Sequence, residues 1–320
     1  MICLGIESTA HTLGVGIVKN GNVLSNENDT YKPKNEGIVP RKAADHHAEV
    51  FGEVLKRSLD SAGVSLDEVG LFSFAQGPGI GSPLQVGCTA ARALAIKCEK
   101  PLIGVNHPYA HIKIAEEYSG IKNPLILYVS GGNTQILIEE KGRFRVLGET
   151  LDIGIGNLYD TFLRAAKLEY AHGSMLEEIA KGGKYVPLPY TVKGTNLSFT
   201  GLQTAAIRAL GEHPLKDVTY SLVETSLSMC LEALERSLFL TKRKGIISCG
   251  GVAQNKRLKE MLKTLAEEDG VQYGGAPDEF NRDNGAMIAY AGELLYKKRG
   301  TKPVKEWKTE PNQRIDSFAI

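Results

Sequence analysis

Residues 125–139 read LILYVSGGNTQILIE, which is two apolar runs separated by a turn of small and polar residues. Apolar runs of this length, bounded by turn residues, predict two buried strands at Leu125–Val129 and Gln135–Glu139. A second turn at Lys141-Gly142 leads into a third predicted strand, Arg143–Leu147. The stretch therefore predicts a three-stranded meander.

The start of the chain repeats this pattern. Predicted strands at Ile2–Ile6 and Leu13–Val18 flank a polar turn, and a tight turn at Asn20-Gly21 precedes a third strand from Val23. Alternating elements follow each meander. The predicted helices cover 43–62, 84–97, a segment from Pro108, 157–168, 201–210, 215–241, 255–268 and 284–297, and the predicted strands cover 71–75, 101–105, 245–249 and 271–273.

Two copies of a meander followed by crossover helices predict two α/β domains that face each other across a cleft. The length agrees, because 320 residues is about twice a common single-domain size of roughly 150. The pattern resembles the fold shared by actin, heat-shock chaperone ATPases and sugar kinases. We expect residues 1–110 with 290–320 to form one domain, and residues 111–289 to form the other.

The composition excludes several classes of protein. The 38 basic and 37 acidic residues give a net charge of +1, so no global basic field attracts nucleic acid. The five cysteines contain no Cys-x-x-Cys pair, which favours a reducing compartment. No apolar run reaches 18 residues, and Glu7 interrupts the first one before it could act as a signal peptide. These features predict a cytoplasmic protein with no membrane partner.

Three turns of small residues are candidate nucleotide-binding elements. They are residues 7–12 (ESTAHT), 130–134 (SGGNT) and 250–255 (GGVAQN). Backbone N–H groups exposed in such turns can hold anionic oxygens, and a Gly-Gly turn lets a purine approach the backbone. In the actin-like fold the two polar turns hold phosphates and the late Gly-Gly turn holds adenosine. Each turn taken alone is also consistent with an ordinary hairpin or loop.

His107 and His111 lie one helical turn apart in HPYAH, with Pro108 suited to the first turn of a helix. This spacing is a candidate metal site, although paired surface histidines are common. Pro108 replaces the general-base Glu of the zinc peptidase motif His-Glu-x-x-His, which argues against peptide hydrolysis. Asp283 is the candidate third ligand and Tyr128 a possible fourth. A helix N-cap for Asp283 and a core aromatic for Tyr128 are the alternatives. Imidazole and oxygen ligands leave iron, zinc and manganese open.

These segments together resemble the universal tRNA threonylcarbamoyladenosine synthase family, in its archaeal and eukaryotic branch, the catalytic subunit of the KEOPS complex, which is homologous to bacterial TsaD. The resemblance covers nearly the whole chain to about Gly300. It is carried by residues 5–12, 38–41, 76–79, 89–92, 106–107 with His111, 128–134, 193–194, 198–201, 250–253 with Asn255, and 283–288. One departure is Gly173-Ser174-Met175, where the family commonly has Gly-Gly-Pro.

The resemblance implies roles for individual residues. It implies one divalent metal per chain, with iron favoured, held by His107, His111, Tyr128 and Asp283. It also implies a site for ATP, AMP or threonylcarbamoyl-adenylate. The residues implied in nucleotide binding are Tyr128, Val129, Ser130, Gly131, Gly132, Asp160, Gly173, Glu177 and Asn255. Asp160 and Glu177 would accept hydrogen bonds from ribose hydroxyls.

The implied activity is that of an acyltransferase. The N6 amine of the adenosine beside the anticodon of tRNA would attack the carbamoyl carbon of threonylcarbamoyl-adenylate and release AMP. Two alternatives stay open: a small-molecule kinase of the same fold, and a non-catalytic nucleotide-switched scaffold.

The implied partners are tRNA and the other KEOPS subunits, a small kinase-like ATPase and small adaptor proteins. A chain with little net charge has few groups to neutralise phosphates, so we expect it to bind tRNA weakly without them. The last twenty residues do not continue the family's core. A linker to a fused kinase is one interpretation of this tail.

Overall fold

The computed structural model describes residues 1–33, 37–168, 173–318 and 320. Across these ranges, none of the helices combines the length and the hydropathy that a membrane span needs.

The chain is an alternation of strands and helices, as predicted. Before residue 120 the strands are β1 Ile2–Glu7, β2 Thr12–Lys19, β3 Asn22–Thr30, β4 Leu71–Gly77 and β5 Leu102–Asn106, and the helices are α1 Pro40–Ala62, α2 Gly81–Lys97 and α3 His107–Ser119. After it the strands are β6 Leu125–Val129, β7 Thr134–Glu140, β8 Arg143–Glu149, β9 Val192–Lys193, β10 Asn196–Leu197, β11 Gly245–Cys249 and β12 Gln272–Gly275. The later helices are α4 Ile155–Ala165, α5 Leu176–Ala180, α6 Thr200–Ala209, α7 Leu215–Thr241, α8 Lys256–Glu268, α9 Asp278–Asn281 and α10 Gly285–Arg299.

Two five-stranded sheets share one topology. The first has the order β3-β2-β1-β4-β5 and the second has the order β8-β7-β6-β11-β12. In both, the three meander strands pair antiparallel. A fourth strand pairs in parallel with the meander's first strand, and a fifth pairs in parallel with the fourth. The α/β class and the repeated meander predicted from the sequence are therefore confirmed.

Backbone contacts divide the chain into two compact units. The first unit contains Met1–Ile114 and Arg282–Ile320, and the second contains Ala115–Asn281. Contact units need not coincide with domains, so the predicted domain limits at 110 and 290 stay a prediction. The division does establish that the first unit is built from two separated stretches of chain.

Helix α10 completes the core of the first unit. Glycines on the sheet let it approach closely, because a Cβ at Gly5 or Gly16 would overlap the backbone of α10 at Ala289 or Ala286. Seven residues in succession, from Gly285 to Ala291, are buried. The helix is therefore apolar around most of its surface, as expected of a core element.

His46 and His47 are adjacent residues of α1 with different surroundings. A solvated helix face is the simplest reading of this pair, but α1 packs on β2 and β3, and His47 is fully buried. Burial first, and the neighbouring His46 second, lower the pKa of His47 to about 4. His46 has an acidic partner, because its Nε2 lies 3.0 Å from Oδ1 of Asp29.

The tail after α10 folds back onto the first unit. Trp307, Ile315 and Phe318 are buried there, and the Trp307 ring meets Phe74 of β4 edge-on at 6.2 Å. These residues belong to a packed segment of the first unit rather than to a free linker.

Candidate functional site

The two histidines of HPYAH open helix α3, directly after strand β5. Asn106 caps the helix, because its Oδ1 accepts a hydrogen bond of 3.1 Å from the backbone N–H of Tyr109. His107 and His111 then lie on the same face, with their Nε2 atoms 3.2 Å apart. Both side chains are buried. The surface-histidine alternative is therefore excluded.

Asp283 lies just before α10, and its carboxylate is close to the Nε2 atoms of both histidines. Its Oδ1 lies 3.4 Å from Nε2 of His107 and 3.3 Å from Nε2 of His111. The cap of α10 is the next residue, Asn284, whose Oδ1 accepts from the N–H of Met287 at 2.9 Å. The N-cap role considered for Asp283 thus belongs to its neighbour, and the Asp283 carboxylate is directed at the imidazoles.

The three atoms fit a metal ion. Ligand atoms about 2.1 Å from a metal and about 109° apart lie roughly 3.4 Å from each other. The three observed separations, 3.2, 3.3 and 3.4 Å, agree with that value. These residues form a possible metal site, and among the described residues they are the one group of three or more His, Cys, Asp and Glu side chains with converging ligand atoms. Nitrogen and oxygen donors are compatible with several divalent metals.

Glu7 supports this cluster, and the sequence did not suggest that role. Its Oε2 lies 2.9 Å from Nδ1 of His107, the ring nitrogen that faces away from the cluster. Its other oxygen accepts a 2.6 Å hydrogen bond from the backbone N–H of Thr9 and a second bond from the Thr9 hydroxyl. A carboxylate behind a histidine fixes the ring orientation and makes the inner nitrogen a better ligand.

Buried charges set the protonation of the cluster. Burial favours the neutral form of His107, but the carboxylates of Glu7 and Asp283 outweigh it and raise the pKa of His107 to about 10. Burial lowers the pKa of His111. Burial opposes ionisation of Asp283 too, yet the imidazolium of His107 holds the pKa of Asp283 well below its usual range. A metal ion would replace the proton on His107, so its binding would release a proton.

The predicted nucleotide-binding residues lie in the second unit. The turn from Ser130 to Asn133 is closed by a 2.8 Å bond from the N–H of Ser130 to the carbonyl of Asn133. Helix α4 begins against this turn, where the N–H groups of Gly156 and Asn157 donate to the carbonyls of Ser130 and Gly131. The Gly131 and Gly132 backbones are exposed. An anion could therefore reach their N–H groups.

Four further predicted residues lie near the starts of α5 and α8. Asp160 of α4 accepts a 3.0 Å bond from the N–H of Gly173, and Glu177 of α5 accepts a 2.6 Å bond from the N–H of Lys256. Asn255 caps α8 by accepting from Leu258 at 2.9 Å. Both carboxylates thus already bind backbone N–H groups, which fixes their orientation.

The last two predicted nucleotide-binding residues, Tyr128 and Val129, lie at the end of β6. Both are buried, and β11 runs parallel beside them, so that Cys249 pairs with Tyr128. The Gly250 turn that follows β11 packs against this end, because a Cβ at Gly250 would lie 3.2 Å from the Tyr128 ring. The Gly-Gly turn and the end of β6 are therefore adjacent within the second unit. The role of Tyr128 as a fourth metal ligand stays a prediction.

Asp152 holds the start of α6 through hydrogen bonds, a role that the sequence analysis did not predict. Its carboxylate accepts from the hydroxyl of Ser198 at 2.6 Å and from the N–H groups of Phe199 and Thr200 at 2.9 and 3.0 Å. Although partial burial opposes its ionisation, these hydrogen bonds lower the pKa of Asp152. The residues it binds belong to the segment 198–201 that carried the family resemblance. These three partners are more than forty positions away from Asp152, so no local pattern in the sequence indicated the contact.

A solved structure shows the same fold. HypF from Thermococcus kodakarensis superposes with a TM-score of 0.65 at 15% identity, over 93% of this chain and 48% of that one. Identity at this level speaks to the fold alone. It confirms the actin-like ATPase fold predicted from the repeated meander.

Sequence relatives are much closer. A protein of Thermococcus kodakarensis named tRNA N6-adenosine threonylcarbamoyltransferase is 50% identical over 300 residues, which are 93% of this chain and 92% of that protein. A protein of Methanothermobacter thermautotrophicus named probable bifunctional tRNA threonylcarbamoyladenosine biosynthesis protein is 45% identical over 323 residues, all of this chain and 60% of that protein.

The family model described as TsaD, tRNA N6-adenosine threonylcarbamoyltransferase, matches residues 21–290. These residues include His107, His111, Asp283 and the nucleotide-binding residues that the resemblance implied, whereas the candidate turn at residues 7–12 lies outside them. The resemblance inferred from the motifs is confirmed, and the chain belongs to the tRNA N6-adenosine threonylcarbamoyltransferase family.

Proposed function

We propose that this chain transfers a threonylcarbamoyl group from threonylcarbamoyl-adenylate to the N6 amine of the adenosine next to the anticodon of tRNA. A bond forms between the amine nitrogen and the carbamoyl carbon, the bond from that carbon to the phosphate oxygen breaks, and AMP leaves while the amine loses a proton. The observation that carries the proposal is the convergence of His107, His111 and Asp283 in a member of this family.

The metal in this proposal is a single divalent ion held by His107, His111 and Asp283, with Tyr128 as a fourth ligand. The family resemblance favours iron, and zinc or manganese would also suit these donors. When bound, the ion would supply a Lewis acid that polarises and positions the transferred group. Glu7 holds the His107 ring with Nε2 directed at Asp283.

The adenylate in this proposal occupies the second unit. The exposed amides of Gly131 and Gly132 would bind its phosphate, since backbone N–H groups in a glycine turn favour anions. The carboxylates of Asp160 and Glu177 would accept from the ribose hydroxyls, with Gly173 and Asn255 beside them. Because these groups are already oriented by hydrogen bonds, they would hold the leaving group in place. The same residues would take ATP or AMP.

The proposal includes partners. A net charge of +1 offers few phosphate contacts, so the isolated chain should bind tRNA weakly. The relative named as bifunctional carries additional sequence beyond the part that this chain matches. We therefore expect efficient modification to need the other KEOPS subunits, a small kinase-like ATPase and small adaptor proteins. A cytoplasmic location stays a prediction.

Single-turnover kinetics test the proposal. Preformed threonylcarbamoyl-adenylate and tRNA are mixed with the chain, with and without the partner proteins, and modified adenosine is measured at matched salt. We expect product in the presence of partners, and a rate at least about a hundredfold lower for H107A/H111A than for the surface variant H213A.

Other outcomes would favour other functions. Equal rates for the two variants would contradict a metal-dependent transfer. Phosphorylation of a small molecule at the expense of ATP, insensitive to chelators, would indicate a kinase of the same fold. Nucleotide binding without any turnover, unaffected by H107A, would indicate a nucleotide-switched scaffold.

A further inference from the structure

Residues 301–318, called the C-terminal strap below, cross the carboxyl ends of strands β4 and β5. These are the strand ends from which Gln76 and Asn106 project. The strap is anchored at three places by contacts with the first unit. Trp307 packs against Phe74, Glu310 binds Gln76, and Phe318 packs against Tyr109 of helix α3 with ring centroids 5.5 Å apart.

One chain of hydrogen bonds runs from the strap to the start of α3. The Oε1 of Gln313 accepts from Nδ2 of Asn106 at 3.0 Å, while Oδ1 of Asn106 accepts from the N–H of Tyr109 at 3.1 Å. Asn106 is fully buried and directly precedes His107. The side-chain amide of Asn106 thus donates one hydrogen bond to the strap through its nitrogen. Its oxygen accepts another from the helix that carries the two imidazoles.

Gln313 is itself held in place by its neighbours. Its Nε2 donates to Oε2 of Glu310 at 2.8 Å, and the other oxygen of Glu310 accepts from Nε2 of Gln76 at 2.8 Å. Gln76 is almost fully buried and donates also to the carbonyl of Lys308 at 3.0 Å. The network of Gln76, Glu310 and Gln313 leaves the amide of Asn106 one orientation in which its oxygen caps α3.

A second chain of contacts reaches His107 from the opposite side. The carbonyl of Pro311 accepts from the N–H of Gly79 at 3.0 Å, and the N–H of the next residue, Ile80, donates to the carbonyl of Thr9 at 2.7 Å. Thr9 binds one oxygen of Glu7, and the other oxygen of Glu7 binds Nδ1 of His107. The loop after β4 is therefore held between the strap and the residue that orients Glu7.

There is little room for the strap to shift. Gly77 lies beside Glu310, and a Cβ at that position would overlap the Glu310 carbonyl. The N–H of Glu310 donates in turn to the carbonyl of Gln76 at 2.8 Å. Backbone packing at this distance fixes the strap relative to the end of β4.

We propose that the C-terminal strap positions the metal centre, with Gln313 acting through Asn106 and Pro311 acting through the loop that supports Thr9 and Glu7. The inference rests on the proposed metal site. It makes Gln313 a positioning residue, because it touches neither a ligand atom nor a substrate. Loss of its bond to Asn106 would let the start of α3 and the His107 ring relax, which weakens the hold on a metal without unfolding the unit.

Three variants of the full-length chain separate positioning from simple packing. Q313A removes the acceptor for Asn106. N106S keeps a capping oxygen for the N–H of Tyr109, because serine is a good N-cap, but it cannot reach Gln313. N312A changes the exposed neighbour of Gln313 and is the matched control. The double variant Q313A/N106S completes a double-mutant cycle.

The probe is Co²⁺, loaded after chelator treatment. The rate of its release to excess chelator and its visible absorption spectrum are measured together with the thermal midpoint. We expect Q313A and N106S each to release Co²⁺ roughly tenfold faster than the wild type and to alter the spectrum, because outer partners of a metal-bound histidine affect affinity by about 10–100-fold. The double variant should be no faster than N106S alone, and N312A should match the wild type.

Release at the wild-type rate from Q313A would overturn the inference while leaving the metal site intact. Independent effects that multiply in the double variant would overturn it as well, because Gln313 would then not act through Asn106. Equal Co²⁺ binding by the wild type and H107A/H111A would overturn the metal assignment, and the strap inference with it.

Discussion

The turn after the first strand of each sheet is the same element built from different residues. Strand β1 ends in Glu7, which pairs with Gly14, and strand β6 ends in Val129, which pairs with Thr134. Glu7 is fully buried and so is Val129. In the first unit the last residue of the strand is an acid that binds Nδ1 of His107, whereas in the second it is an apolar core residue.

The residues that follow Glu7 and Val129 also differ between the two units. Ser8 and Thr9 are buried, and the N–H and the hydroxyl of Thr9 both donate hydrogen bonds to Glu7. Gly131 and Gly132 are exposed and carry no side chain that could cover their N–H groups. One meander therefore supports the possible metal site, and its copy has two exposed glycines at the turn where we propose that a phosphate binds. The predicted phosphate-binding role of residues 7–12 stays a prediction.

Removing the imidazoles of His107 and His111 should have the largest effect, which is on the metal content of the first unit. H107A/H111A deletes two of the three converging ligand atoms, and a lone carboxylate holds a divalent ion weakly. We expect the metal content after dialysis against chelator to fall to background, measured by inductively coupled plasma mass spectrometry. H213A removes an exposed histidine and should keep its metal. Wild-type metal content in H107A/H111A would place the ion elsewhere.

Neutralising Glu7 should weaken the metal without removing it. E7Q keeps the shape of the side chain but loses the charge behind His107, so the metal dissociation constant should rise by about 10–100-fold. Competition with a chromophoric chelator measures it. E49Q, a change of the same kind on the exposed face of α1, should leave the constant unchanged. If E7Q binds metal as tightly as the wild type, Glu7 serves packing alone.

A side chain on the second turn should affect nucleotide and not metal. The nearest atom to a Cβ at Gly131 is Oδ1 of Asn157 at 3.8 Å, so valine fits there without a clash yet covers the amides. We expect G131V to weaken AMP and ATP binding about tenfold in calorimetry, as expected for losing charge-assisted hydrogen bonds. G52V, on an open face of α1, is the control. Unchanged nucleotide affinity with G131V would move the site away from this turn.

The smallest predicted effect concerns stability. Asp152 caps the start of α6, and D152A should lower the free energy of unfolding by about 1–2 kcal/mol at pH 7 in urea. Because hydrogen bonds hold the pKa of Asp152 below its ordinary value of about 3.9, this contribution is complete above that pH and is lost as the pH falls below it. The difference between wild type and D152A should therefore shrink in acid.

The control for this prediction is D45A, which removes an exposed ion pair with Arg41 and should change the unfolding free energy by less than about 0.5 kcal/mol. If the difference in unfolding free energy between wild type and D152A grew larger as the pH fell, the pKa of Asp152 would not be lowered as assigned.

Much of the fold was predictable because its signals are local. The strands Leu125–Val129 and Gly245–Cys249 and the helix Leu215–Thr241 have the predicted limits, since each is an apolar run or periodic segment between turn residues. His107 and His111 were predictable for the same reason, because helical spacing alone places them on one face.

The supporting residues could not be predicted in this way. Glu7 is a hundred positions from His107, and Gln313 is 207 positions from Asn106. No periodicity links such pairs, and a lone glutamate or glutamine has many ordinary roles. Asp283 was chosen as the candidate third ligand because, in the actin-like fold that the sequence resembles, the segment before the last helix returns to the cleft. The burial of His47 could not be predicted, because one sequence does not show which face of α1 meets the sheet.

The divided first unit has a consequence for how the protein is made. Residues 1–114 are synthesised before the second unit, but they cannot bury β1 and β2 against α10 until residues 282–320 have been synthesised. The second unit is continuous in sequence and can fold as soon as it is complete, so the usual order in which N-terminal parts fold first is reversed. Asp283 and the strap are synthesised after the second unit, so the three candidate metal ligands can converge only once that unit has been made.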